Sequence, residues 1–190
     1  MKTIIISIKM FVFLTVLTGI IYPLLVTGIA QVLFPSRANG SIIIKHNKKT
    51  GSELIGQQFD STIYFSSRPS AVLYNPLPSG GSNYGLTNTK LKDLVAIRRK
   101  QFIEFNGLDS LAVVPSEMLF ASASGLDPHI SPQAAILQVG RISKARNFNI
   151  SQKNSLLKSI EELSEKPQYG CLGVQRINVL LLNLKTDAIK

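Results

Sequence analysis

The first long pattern in this chain is one of unbroken apolarity. Met10 to Phe34 reads MFVFLTVLTGIIYPLLVTGIAQVLF, 25 residues without Asp, Glu, Lys, Arg or His. A helix rises about 1.5 Å per residue, so about 20 such residues cross the ~30 Å hydrocarbon core of a bilayer. The pattern predicts one transmembrane helix over residues 10–34, after a short basic N-terminus, 1–9. A cleaved signal peptide competes, with Lys2 and Lys9 as its basic region and Gly28-Ile29-Ala30 as its cleavage site. A signal peptide's apolar stretch is only about 7–15 residues, shorter than this one. A buried core helix is disfavoured by the same length. Pro23 and Gly19 fit a span, because membrane helices tolerate both. Thr15, Gly19, Tyr22, Val26 and Ala30 recur at spacings of three and four. That spacing predicts one stripe on which a partner helix packs, the small residues permitting close approach.

Polarity changes after Phe34. Residues 35–52 read as a tether of Ser, Asn, Gly and Lys around Ile42-Ile43-Ile44, and residues 53–190 as a single soluble domain. Leu54–Phe65 predicts one or two short strands. Arg68–Asn88 is a long loop, punctuated by Pro and Gly-Gly; a loop of that length in a compact domain is usually functional. Thr87-Asn88-Thr89 caps a helix over Lys90–Phe105, with Leu91, Leu94, Val95, Phe102 and Phe105 inward. A short helix is expected over Ser116–Ala123. Ser131-Pro132 starts a further helix to about Arg146, with Ala135, Val139 and Ile142 inward and cations near its C-terminus. Ser151 caps another, to about Glu165. Arg176–Asn183, RINVLLLN, reads as a buried strand. The fold class is α+β: one N-terminal transmembrane helix, then a mixed soluble domain.

Charge and composition narrow the function. The chain of 190 residues carries +10, and all 11 acidic residues lie beyond the span, leaving the soluble part at +8. The basic residues are scattered, Arg98-Arg99-Lys100 being the densest cluster, with no interleaved aromatic platform. That pattern argues against nucleic acid and for a membrane surface or a protein partner. Cys171 is the only cysteine, and with His46 and His129 the only histidines a zinc site is not expected. Lys2 and Lys9 before the span are nearly balanced by Arg37, Lys45, Lys48 and Lys49 after it, so charge leaves the orientation open.

No standard catalytic set is present: no phosphate-binding loop, no His-Glu-x-x-His, no nucleophile elbow. Ser124, Asp127 and His129 are close in sequence, but Asp127-Pro128-His129 reads as a turn rather than a triad. Ser79-Gly80-Gly81-Ser82 offers backbone N–H groups to an anion, a weak signal by itself.

The motifs together are more specific. Tyr64-Phe65-Ser66-Ser67-Arg68-Pro69-Ser70-Ala71 leads into Tyr74-Asn75-Pro76-Leu77-Pro78-Ser79-Gly80-Gly81-Ser82-Asn83. Ala123-Ser124-Gly125-Leu126-Asp127-Pro128-His129-Ile130-Ser131-Pro132 follows, then Gln138-Val139 and Arg141, and finally Arg176-Ile177-Asn178-Val179-Leu180 and Asn183. This order, with Tyr22-Pro23-Leu24 in the span, resembles the C subunit family of the bacterial Kdp potassium-transporting P-type ATPase over nearly the whole chain. Two positions depart: Leu86 stands where the family usually has Pro, and the acidic residue usual after Gly173 is missing.

The resemblance implies a non-catalytic accessory subunit. A channel-like subunit would pass potassium, and a P-type ATPase subunit would hydrolyse ATP. The C subunit would serve assembly and act as a catalytic chaperone raising the ATP affinity of the pump subunit. It would lie in the inner membrane, single-pass, with its domain on the outer, periplasmic face. The implied nucleotide-associated residues are Gln133 and Gln138. A domain outside cannot touch cytoplasmic ATP across ~30 Å of hydrocarbon, so the expected effect is conformational. Expected subunit contacts are Thr15, Gly19, Tyr22, Arg68, Asn75, Ser82, Asn83, Asp127 and His129. No catalytic or metal-binding residue and no cofactor of its own is expected. The alternative is a membrane-anchored module that binds an anionic ligand through the Gly80-Gly81 loop, with an independent enzyme third.

Overall fold

A computed structural model describes residues 2–45 and 47–189. Backbone contacts divide the chain into two units, Met1–Ser52 and Glu53–Lys190.

The first unit begins with one uninterrupted helical run, Lys2–Leu33, long and apolar enough to cross a membrane. It therefore starts earlier than the sequence pattern predicts and takes in Lys2 and Lys9. It comprises α1 (Lys2–Val16), a π segment (Leu17–Ile21) and α2 (Tyr22–Leu33). The π segment sits just before Pro23, which has no N–H for the usual i−4 bond. The backbone answers with a wider turn, in which Tyr22 N–H donates to Leu17 O. Thr15, Gly19, Tyr22 and Val26 are all exposed along this run.

Residues 35–52, expected as a tether, carry local structure of their own. They form a helical turn, α3 (Pro35–Ala38), and an antiparallel hairpin of β1 (Ile42–Lys45) and β2 (Lys48–Ser52). Ile42 pairs with Ser52 and Ile44 with Lys49, with a bulge between. Ser52 Oγ donates to Gly40 O at 2.7 Å, closing the base of the hairpin.

The second unit is built on four helices: α4 (Thr89–Asn106), α5 (Pro132–Ala145), α6 (Ile150–Glu162) and α7 (Val179–Asp187). Strands β3 (His129–Ile130) and β4 (Ile177–Asn178) pair antiparallel, each running directly into a helix. Phe65, Ile130, Ile142, Leu156, Ile177 and Leu182 are almost wholly enclosed at the centre. Arg98 and Arg99 donate to the carbonyls of Leu119, Ser110 and Ala112, so this cluster holds the segment after α4 against that helix.

Asn88 caps α4 and Ser131 caps α5, its Oγ accepting from Ala134 N–H, as the sequence predicts. Other elements differ. Asn149, not Ser151, caps α6, in a reciprocal capping box with Gln152, and the helix ends at Glu162. Ser116–Met118 is only a 3-10 turn. Arg176–Asn183 is two residues of strand followed by helix, because Asn178 Oδ1 accepts from Leu181 N–H and starts α7. An apolar run this short carries no period that separates strand from helix. Leu54–Phe65 contains no strand; its backbone is bound by side chains instead.

Candidate functional site

Ser61–Tyr64 is a turn, Tyr64 N–H donating to Ser61 O, and Phe65–Ser67 run on from it without joining a sheet, so their backbone groups need other partners. Two side-chain amides supply them in the manner of a neighbouring strand. Asn183 on α7 accepts from Phe65 N–H at 2.8 Å and donates to Phe65 O at 3.0 Å. Gln138 on α5 accepts from Ser66 N–H at 2.8 Å and donates back to Ser66 O at 3.4 Å. Gln138 Nε2 also donates to Ala134 O, and its Oε1 accepts from Arg141 at 3.0 Å. Gln138 is 0% exposed, with all its polar atoms engaged inside the chain. A nucleotide reaching it would have to displace Ser66 or Arg141.

Arg141 extends the clamp. Its guanidinium donates to the carbonyls of Ser61, Thr62 and Tyr64 and to Asn106 Oδ1, and it stacks 4.3 Å from the Phe105 ring centroid. Burial lowers its pKa to about 10. The carbonyl dipoles replace water around a buried charge that would otherwise be costly. Arg146 continues the row, donating to Ile63 O and to Asp187 at 2.8 Å each.

Just beyond this clamp lies the cleft where four of the sequence's candidates, Arg68, Asp127, His129 and Gln133, meet. Arg68 Nη1 donates to Asp127 Oδ2 at 2.5 Å. The other carboxylate oxygen accepts from His129 N–H at 3.0 Å and lies 3.4 Å from His129 Nδ1. Asp127 therefore does form the expected turn, and it is also ion-paired. Burial raises its pKa, but the bonds from the His129 side chain and backbone and from Arg68 outweigh burial and hold it at about 2. Arg68 Nε is buried without a hydrogen-bond partner among the described residues. Arg68 O accepts from the Tyr74 hydroxyl, whose pKa burial pushes up to about 12. The cleft around this pair, about 520 Å³, is lined by Glu117, Ser131, Gln133 and Arg176 as well.

Three loops are locked together here. Gly56 N–H donates to Leu126 O, and a Cβ on Gly56 would stand 2.7 Å from Asp127 O. Gly125, at φ +70°, touches Val72 and Gly80 so closely that any side chain would collide. Gly80 N–H donates to Ser124 O at 2.9 Å, so this donor of the supposed anion loop is already spent within the chain.

The other candidates are dispersed. Asn75 is a turn residue, its Oδ1 accepting from Leu77 N–H, and Ser82 and Asn83 are exposed on the same loop. Ser124 is exposed and bonds its own turn through Leu126 N–H. No group of three or more His, Cys, Asp or Glu able to hold a metal occurs among the described residues. Sequence reasoning missed Arg141 and Asn183 as buried anchors. A signal existed for Gln138: it lies four residues from both Ala134 and Ile142, on the inward stripe.

This framework of side-chain clamps and interlocked loops is made by the very motifs that carry the family resemblance. The family model described as the c chain of K+-transporting ATPase matches residues 4–188. The chain belongs to the KdpC family. Its relatives include the potassium-transporting ATPase KdpC subunit of Trichlorobacter lovleyi, 49% identical over the whole chain and 99% of that protein. The KdpC subunit of Methylococcus capsulatus is 47% identical across 93% of the chain and 92% of that protein. That of Leptospira interrogans is 45% identical across 96% of the chain and 92% of that protein. The match runs through both units, so the apolar helix and the clamped domain are covered together.

Proposed function

We propose that the chain is a membrane-held accessory subunit of a bacterial potassium-transporting ATPase. It neither passes the ion nor hydrolyses ATP: a channel-like subunit does the first and a P-type subunit the second. The helix Lys2–Leu33 anchors it in the inner membrane, and the clamped domain, on the outer face, docks on its partners through the Arg68–Asn88 loop. Any rise in the pump subunit's ATP affinity is conformational. The observation that carries this reading is the enclosure of Gln138, which works as a backbone clamp and offers no polar atom to a nucleotide. Gln133, exposed on the first turn of α5, is the one nucleotide candidate with a free surface. Leu73, Leu77 and Leu86 stand 79%, 81% and 84% exposed on the loop. Their exposure leaves the loop's apolar side chains available to a partner.

The test is purification of the full chain, tagged at its C-terminus, from detergent-solubilised membranes. Two larger membrane chains should copurify, and Leu73→Ser with Leu77→Ser should deplete them. Gln133→Ala should leave the KM for ATP of the assembled complex unchanged. Recovery of a stable monomer that binds an anionic ligand unaided would overturn the proposal in favour of the alternative module.

A further inference from the structure

On the reading that Lys2–Leu33 spans a bilayer, we propose that the β1–β2 hairpin rests on the membrane surface. Its Ile42–Ile44 face would sit among lipid headgroups and its lysines against anionic phosphates.

Among the described residues, this face of the hairpin stays largely open. Ile42 and Ile44 are 46% and 63% exposed, while Ile43 and Lys45 on the other face are half-buried. Directly opposed residues share a face, so Lys49, paired with Ile44, stands beside the two isoleucines. A two-stranded hairpin is at best marginally stable in water, and an exposed apolar face makes it less so. A lipid interface supplies what that face lacks, a layer that accepts apolar side chains at one depth and cations at another.

Charge selects the lipid. Residues 1–52 contain six Lys or Arg and no Asp or Glu. Arg37, Lys48 and Lys49 are exposed within the helical turn and hairpin. Each such cation near an anionic surface gains about 1 kcal/mol.

Gly40 follows the end of α2 by a few residues, and Ser52 is bonded back to it. The hairpin therefore leaves and returns next to the end of the spanning helix, where the local lipid concentration is highest.

The experiment uses the full chain with Cys171→Ser and a single environment-sensitive fluorophore on Ile44→Cys. The protein is placed in nanodiscs of phosphatidylcholine, with or without phosphatidylglycerol, and its integration is checked by carbonate extraction. In the anionic discs the emission should shift to the blue and be quenched by lipids carrying a headgroup-depth spin label. A reporter on Lys153→Cys should stay in water and be quenched by iodide. Lys49→Glu should return the Ile44 reporter to iodide, each lost charge lowering the lipid-contacting ratio about fivefold, and Lys48→Glu, at the residue paired with Lys45 on the other face, should do so less. A reporter on Ile43→Cys, on the opposite face, should be quenched less by lipid than one on Ile42→Cys. An Ile44 reporter that matches the Lys153 reporter, or that ignores lipid charge, overturns the proposal. Shielding from both quenchers in the assembled complex would assign the face to a protein partner and also overturn it. A chain that carbonate extracts fails the spanning reading and the proposal together; an integrated chain with a watery Ile44 fails the proposal alone.

Discussion

Gln138 holds Ser66 by both of its backbone groups, accepting from the N–H at 2.8 Å and donating to the carbonyl at 3.4 Å. A side chain here does what a neighbouring strand does in a sheet. Asn183 repeats the arrangement on Phe65, one residue earlier. The two amides come from different helices, α5 and α7, so this segment is a staple between them. Phe65, threaded through the staple, is 0% exposed and lies in the core.

Gln138→Ala should destabilise the second unit by about 2–3 kcal/mol, since it leaves buried donors and acceptors unpaired as well as a cavity. The loss should appear in thermal unfolding of the full chain without any nucleotide. Hydrogen exchange at Phe65 and Ser66 should rise with it. Unchanged stability, with a defect only in nucleotide binding, would contradict the structural role.

Arg141 is the second anchor. Arg141→Lys keeps the charge but cannot fork across the carbonyls of Ser61, Thr62 and Tyr64. A cost of about 2–4 kcal/mol is expected, because stranded carbonyls and a poorly solvated ammonium remain. Denaturant titration measures it, and a loss below that range would mean water replaces the guanidinium.

These anchors show where the sequence was legible. The starts of α4 and α5 could be read because Asn88 and Ser131-Pro132 are local signals, complete within a few residues. The start of α7 carried a local cap as well, Asn178, but the apolar run after it has no polar rhythm and passed for a strand. Leu54–Phe65, expected to hold strands, escapes local reading for a different reason: it ends in a turn at Ser61–Tyr64, and the side chains that bind the backbone there lie about 70 to 120 residues away on helices. Polar residues on an inward stripe look like boundary positions until those partners are known. The Arg68–Asp127 pair was reachable only as two separate candidates, because its residues meet through loops with no periodicity.

Asp127 should make acid stability measurable. Its folded pKa of about 2 lies below its ordinary 3.8, so its contribution is complete above about pH 4. That contribution is lost as pH falls from about 4 towards 2, where the folded carboxylate finally takes its proton. Relative to Asp127→Asn, the native chain should be favoured by about 1–2 kcal/mol near neutrality, part of the shift being discounted for partial exposure. The difference should shrink through this window and be gone only below about pH 2. A difference that is constant across this range would mean that the ion pair with Arg68 carries no net stabilisation.

In the proposed function the clamped domain acts on the ATPase from the side of the membrane away from ATP. Thiol accessibility tests it most directly. Cys171 is replaced by Ser, and Lys153→Cys, on the exposed face of α6, is treated with a membrane-impermeant maleimide in intact cells whose outer membrane has been opened. Labelling before lysis is the predicted result, and it leaves conformational coupling as the only route to ATP. Labelling only after lysis would place the domain in the cytoplasm and contradict the account.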